Sequence, residues 1–129
     1  MSSQQSRRLL NISDFLAQYQ HENTREAYRS SLKRFFRMIY PDSEGISLDD
    51  LSLRYLGEDR DYRHDMLLFR ENLSRSAPLT SFQRMTAIRI FLEENNITFP
   101  KRFFKMIDDI LNSSISQLKT TYVELAMPR

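Results

Sequence analysis

The sequence predicts an all-α fold, one domain built from five helices, and three observations carry that expectation. The 129 residues include only 2 Gly and 4 Pro, too few for the tight turns that an all-β fold needs. Apolar residues recur at three- and four-residue steps over five stretches, the spacing of a helix that buries one stripe. Between those stretches stand prolines, glycines, asparagines and hydroxyl or acidic capping residues, where helices start and stop. A chain of this length fits one domain, large enough to bury about two-thirds of its unfolded surface.

Residues 1–11 are polar and read as a flexible N-terminus. Ser13 or Asn11 can cap a first helix over residues 12–20, with Ile12, Phe15, Leu16 and Tyr19 as its apolar stripe. Asn23 or Thr24 then caps a long second helix that runs to Tyr40, where Pro41 ends it. Its buried stripe is Tyr28, Leu32, Phe35, Phe36 and Ile39. Residues 41–58 read as a loop with one short helical turn, opened by Ser47 and Asp50 in a capping-box pattern and broken by Gly57. Asp59 or Glu58 starts a third helix to about Ser74, with Tyr62, Met66, Phe69 and Leu73 inward. Thr80 or Ser81 caps a fourth helix, TSFQRMTAIRIFLEEN, which ends at Asn95-Asn96 because asparagine tolerates left-handed backbone. A fifth helix, KRFFKMIDDIL, follows Pro100 and is apolar over much of its circumference. No interior place is evident for Tyr40, Tyr55 and Tyr122.

The net charge of +2 is modest, but the charges are unevenly placed. Residues 24–40 carry five cations (Arg25, Arg29, Lys33, Arg34, Arg37) against Glu26 alone. Residues 75–89 carry Arg75, Arg84 and Arg89 and no anion. Between them, residues 41–65 hold eight carboxylates against three arginines. Like charges at helical neighbours repel by a few tenths of a kcal/mol per pair, so the basic face suggests an anionic partner. A solvated face of good helix formers would have the same composition. If the two basic helices share a side, the fold has a polarised field.

Several chemistries lack their residues. With no cysteine, disulfides and thiolate metal sites are excluded, and a reducing cytoplasm is compatible. No apolar run approaches the ~20 residues needed to cross a bilayer. His21 and His64 stand in no metal-ligand spacing, and Asp49-Asp50 and Asp108-Asp109 diverge on a helix. The only glycines, Gly45 and Gly57, make no phosphate-cradling loop, and no serine sits in a nucleophile elbow. No catalytic residue, cofactor or metal site is expected, and the chain does not read as an enzyme.

Three motifs carry a resemblance. Ile12-Ser13-Asp14-Phe15-Leu16 opens the first helix; Thr24-Arg25-Glu26-Ala27-Tyr28 with Leu32 and Phe35-Phe36 follows a T-x-x-x-Y-x-x-x-L-x-x-F pattern. Thr80, then Arg84-Met85-Thr86-Ala87-Ile88-Arg89-Ile90-Phe91, resembles T-x-x-x-R-L-S-A-L-R-x-F. In this order the chain resembles the core-binding, or SAM-like amino-terminal, domain of phage-integrase-type tyrosine recombinases over residues 12–112. The resemblance implies a five-helix orthogonal bundle that clamps duplex DNA through its second and fourth helices. It points to Thr24, Arg25, Arg29, Lys33 and Arg37 on one, and to Thr80, Gln83, Arg84 and Arg89 on the other. Most would neutralise phosphates. Gln83 and Arg84 are types that pair bidentately with adenine and guanine, and Arg89 beside the apolar stripe can equally snorkel.

The implied partners are double-stranded DNA and, when assembled on it, other recombinase protomers, with no membrane and no small-molecule substrate. There are departures from the pattern. Ser81 stands where the family more often has an apolar residue, and the acidic connection is longer than usual. The family's catalytic Arg, Lys, His and Tyr module is absent: neither His21 nor His64 begins an H-x-x-R. Residues 113–129 accordingly read as a linker toward that missing module. The alternative class is a helical protein–protein interaction module without DNA binding, suggested by the apolar fifth helix and the acidic connection.

Overall fold

The computed structural model describes residues 9–103 and residue 105. Among them every regular element is helical: α1 (Ile12–Leu16), α2 (Glu22–Ile39), α3 (Leu48–Gly57), α4 (Tyr62–Asn72) and α5 (Pro78–Glu94). The predicted second and fourth helices are thus α2 and α5. Residues 101–103 and 105 are helical too. The remainder of the predicted fifth helix, the 113–129 linker, Tyr122 and most of the N-terminal tail lie outside the described residues.

The boundaries depart from expectation in instructive ways. The expected short turn after Ser47 is a ten-residue helix. The Ser47 hydroxyl accepts from the Asp50 N–H at 3.1 Å, and Asp49 and Asp50 occupy the positive first turn. Leu51 and Tyr55, four apart, are both fully buried, so the tertiary contact lengthens what capping alone would leave marginal. α1 stops at Leu16 instead of reaching residue 20, and α2 starts at Glu22, ahead of Asn23 and Thr24. For α4 the cap is Asp61, whose carboxylate accepts from the His64 N–H at 3.1 Å, not Asp59 or Glu58. α5 begins at Pro78, before Thr80 and Ser81, because the proline ring presets helical φ where no N–H is needed. Asn96, just past its end, has the expected left-handed backbone with φ 66.

α2 is the axis of the fold. It touches α1, α3, α4 and, most extensively, α5. Its Leu32, Phe35 and Phe36 are fully buried. Phe35 meets Phe36, Tyr55 and Phe69 edge-on at 5.3, 5.4 and 5.3 Å, and Phe36 reaches Phe91 of α5 at 6.1 Å. Phe91 in turn receives Phe15 of α1 at 5.3 Å. This edge-to-face chain crosses the core from α4 to α1.

Tyr40 and Tyr55 are core residues, contrary to the sequence reading, because each hydroxyl finds a carboxylate. Tyr55 donates to Asp65 at 2.7 Å and Tyr40 donates to Glu58 at 2.6 Å. Arg60 completes the cluster, with Nε 2.8 Å and Nη2 3.2 Å from the Asp65 oxygens and Nη1 3.1 Å from Glu58. Burial, then the bond to the carboxylate, pushes both tyrosine hydroxyls above their usual pKa. The Tyr40 hydroxyl, with Arg60 and Arg54, holds the Glu58 carboxyl below the ordinary carboxylate range. Because Glu58 releases its proton more readily folded than unfolded, its contribution is complete above the ordinary glutamate pKa of about 4.3 and is lost as the pH falls below it. The drop in urea midpoint between neutral and acidic buffer is expected to shrink in Glu58→Gln; an equal drop in both proteins would show that Glu58 is uncoupled from folding.

Two polar ties hold the N-terminal elements. Asp49 accepts from the backbone N–H and the hydroxyl of Ser13 at 2.8 and 2.6 Å, fixing α1 to α3. Asn95 accepts from the Leu10 N–H at 2.7 Å and donates to its carbonyl at 3.2 Å. Removing the first tie by Asp49→Ala is expected to destabilise the fold by about 1–2 kcal/mol. Chemical denaturation reads this out, and Asp49→Asn, which keeps an acceptor, should lose less.

Candidate nucleic-acid interface

The site residues named from the sequence fall into three groups. Arg25 and Arg37 are engaged within the chain. Arg25 Nη1 donates to the carbonyls of Tyr19 at 2.6 Å and Gln20 at 3.1 Å, tying α2 to the α1–α2 corner. Arg37 Nη1 donates to the Ser43 hydroxyl at 2.7 Å and to the Ser43 carbonyl, pinning the chain after α2. Arg34, the fifth cation of the strip, donates to the Asn72 side chain at 2.9 Å and its carbonyl at 3.0 Å, holding α4. On α5, Arg89 lies 3.9 Å from Glu93, one helical turn on.

Arg29 and Lys33 form the second group. Both are exposed, and neither has an ion pair or hydrogen bond among the described residues. At 3.6 residues per turn they lie roughly 100° and 60° round α2 from Ser30, on the same side of it.

The third group lines a groove between α2 and α5. Thr24, Thr80, Gln83 and Arg84 border a space of about 510 Å³, together with Asn23 and Ser30. Residues more than fifty positions apart in sequence thus share one surface. Arg84 Nη1 donates to Ser30 Oγ at 3.3 Å across the groove, while its buried Nε meets no acceptor among the described residues. Ser30 is therefore the rim on which the basic strip of α2 and the groove meet. Of the cations at positions 75–89, Arg84 is the one that meets the basic strip of α2 at this rim among the described residues.

Local sequence explains why these helix ends carry open polar groups. α1, α3 and α4 have side-chain caps from Asn11, Ser47 and Asp61. α2 and α5 have none: His21 and Ala77 make no capping bond. Their first-turn N–H groups therefore remain available. Asn23 and Thr24 lie in the first turn of α2 and Thr80 in that of α5, so residues of both positive helix ends line the groove. Glu22 is the one acidic residue in either first turn.

Sequence reasoning took Asn23 only for a cap and overlooked Ser30. Their place in the groove depends on how α5 lies on α2, for which a single sequence carries no signal. Ser81, the departure noted from the family pattern, is buried and donates to the Leu73 carbonyl at 3.1 Å, joining α5 to the end of α4. The hydroxyl is a second donor to a helix-end carbonyl that also accepts from the Ser76 N–H at 2.9 Å.

Among the described residues no group of three His, Cys, Asp or Glu could hold a metal ion. Among them, also, no helix is long and apolar enough to cross a membrane. Compared with protein-family models, with curated proteins and with solved structures, the chain matches none.

Proposed function

We propose that this chain is a non-catalytic duplex-DNA-binding domain, of the core-binding kind that positions a tyrosine recombinase on its crossover site. In this reading residues 12–112 are a SAM-like five-helix orthogonal bundle, and α2 and α5 face the nucleic acid. The observation that carries it is the convergence of Thr24, Thr80, Gln83 and Arg84 on one groove, bordered at Ser30 by the exposed cations Arg29 and Lys33. The geometry also sharpens the division of labour. Arg29 and Lys33 neutralise phosphates, whereas Arg25, Arg34 and Arg37 stiffen the scaffold that presents them. Gln83 and Arg84 are the side chains that meet base edges or the backbone within the groove.

Fluorescence anisotropy of a labelled duplex across a salt series tests the reading. Affinity should fall linearly in log salt, with a slope of roughly −0.9 per phosphate neutralised. Arg29→Gln combined with Lys33→Gln should lower that slope by about 2 and weaken binding on every sequence alike. An unchanged slope would remove these residues from the interface, and absence of binding at low salt would remove the function.

A further inference from the structure

We infer that the α2–α5 groove is a binding site for a nucleoside monophosphate, and that it recognises the base as well as the phosphate. The inference stands on the groove and does not require the duplex reading above. The volume, about 510 Å³, is within the range of small-ligand sites. Its wall is mostly apolar, with Ala27 and the half-buried rings of Tyr28 and Phe82 along it. A bare phosphate would leave that wall uncovered, whereas a planar base would cover it.

The polar groups of the groove divide sharply. Ser31 and Thr86 donate to their own helix carbonyls, at 3.1 Å to Ala27 and 2.8 Å to Phe82, and keep only acceptor lone pairs for a ligand. The side chains of Asn23, Thr24, Thr80 and Gln83 make no hydrogen bond among the described residues. Their amides and hydroxyls suit the edge of a base and a sugar hydroxyl. Among the described residues no carboxylate lines the groove, and Arg84 is the one charged side chain that does. The guanidinium is held across the space by a single long bond to Ser30 at 3.3 Å, a bond that an anion would outcompete. Asn23, Thr24 and Thr80 bring to the groove residues from the first turns of α2 and α5, neither of which has a side-chain cap. Together these features specify one anionic group on a flat, hydrogen-bonding body.

Amide chemical shifts of the whole chain, titrated with adenosine monophosphate, adenosine and inorganic phosphate at millimolar concentration, test this directly. Adenosine monophosphate should shift the amides of residues 23–31 and 80–86 and bind at least roughly tenfold more tightly than either half alone. Arg84→Gln should remove that advantage, while Arg84→Lys, which keeps a charge, should retain part of it. Phosphate alone binding as tightly, shifts on α2 around Arg29 and Lys33 without any in residues 80–86, or no shift at all would each overturn the inference. Adding duplex distinguishes the source of the nucleotide: displacement of the monophosphate assigns the groove to a nucleotide of the DNA, and simultaneous binding assigns it to a free nucleotide. Monophosphate binding without duplex binding would count against the proposed function alone.

Discussion

Phe35→Ala is expected to destabilise the fold by about 3–5 kcal/mol, the range for truncating a buried phenylalanine. Phe35 is fully buried on the central helix and makes three edge-on ring contacts, to Phe36, Tyr55 and Phe69. The loss therefore includes transfer energy, a cavity at the centre of the molecule, and about 0.5–1.5 kcal/mol for each ring pair removed. The cavity is bounded by three different helices, α2, α3 and α4, so it cannot close by shifting one of them. Since a domain has only about 5–15 kcal/mol in hand, the melting temperature should drop by on the order of 15 °C. Thermal unfolding followed by circular dichroism measures this. Phe35→Leu, which refills most of the space, should recover more than half of the loss. A drop of only a few degrees for Phe35→Ala would mean that the aromatic chain is not the organising core.

Asp65→Ala should cost about 2–4 kcal/mol, although it removes only a few atoms. The carboxylate is 2% exposed and is the acceptor for Tyr55, itself fully buried, and for two nitrogens of Arg60. Its removal leaves the Tyr55 hydroxyl without an acceptor, which costs about 1–3 kcal/mol. It also leaves Arg60 a half-buried cation. Arg60, with 29% of its side chain exposed, can turn toward water and toward Glu58, which keeps the loss below that of a wholly buried pair. A double-mutant cycle with Tyr55→Phe separates the terms. In the Tyr55→Phe background no hydroxyl is orphaned, so Asp65→Ala should be milder by about 1–2 kcal/mol. Strict additivity would mean that the Tyr55–Asp65 bond contributes nothing.

The candidate site was partly legible in sequence. Thr24, Thr80, Gln83 and Arg84 were singled out on two separate motifs, and all four line one groove. The basic strip of α2 was legible as a run of charges but not as a set of functions. Arg25, Arg34 and Arg37 look like Arg29 and Lys33 in a list of cations. They differ only because a carbonyl or amide from another segment lies within their reach: Tyr19 and Gln20, Asn72, and Ser43. Those acceptors are brought in by loops and neighbouring helices, and no helical periodicity reveals them.

Much of the fold follows from local rules acting on neighbours in the chain. Scarcity of glycine and proline and the helical spacing of apolar residues point to an all-helical chain. Pro41 and Asn96 mark helix ends because ring geometry and left-handed backbone are properties of single residues. What those rules miss depends on contacts across the sequence. Tyr55 turns inward because Asp65, itself held by Arg60, accepts its hydroxyl in the core, and with it a turn becomes the helix α3. The groove exists because Phe36 and Phe91 fasten α2 to α5. The packing of α2 on α5 brings residues of their two uncapped first turns to one groove, so the site is a product of packing, with both its halves already present in the chain.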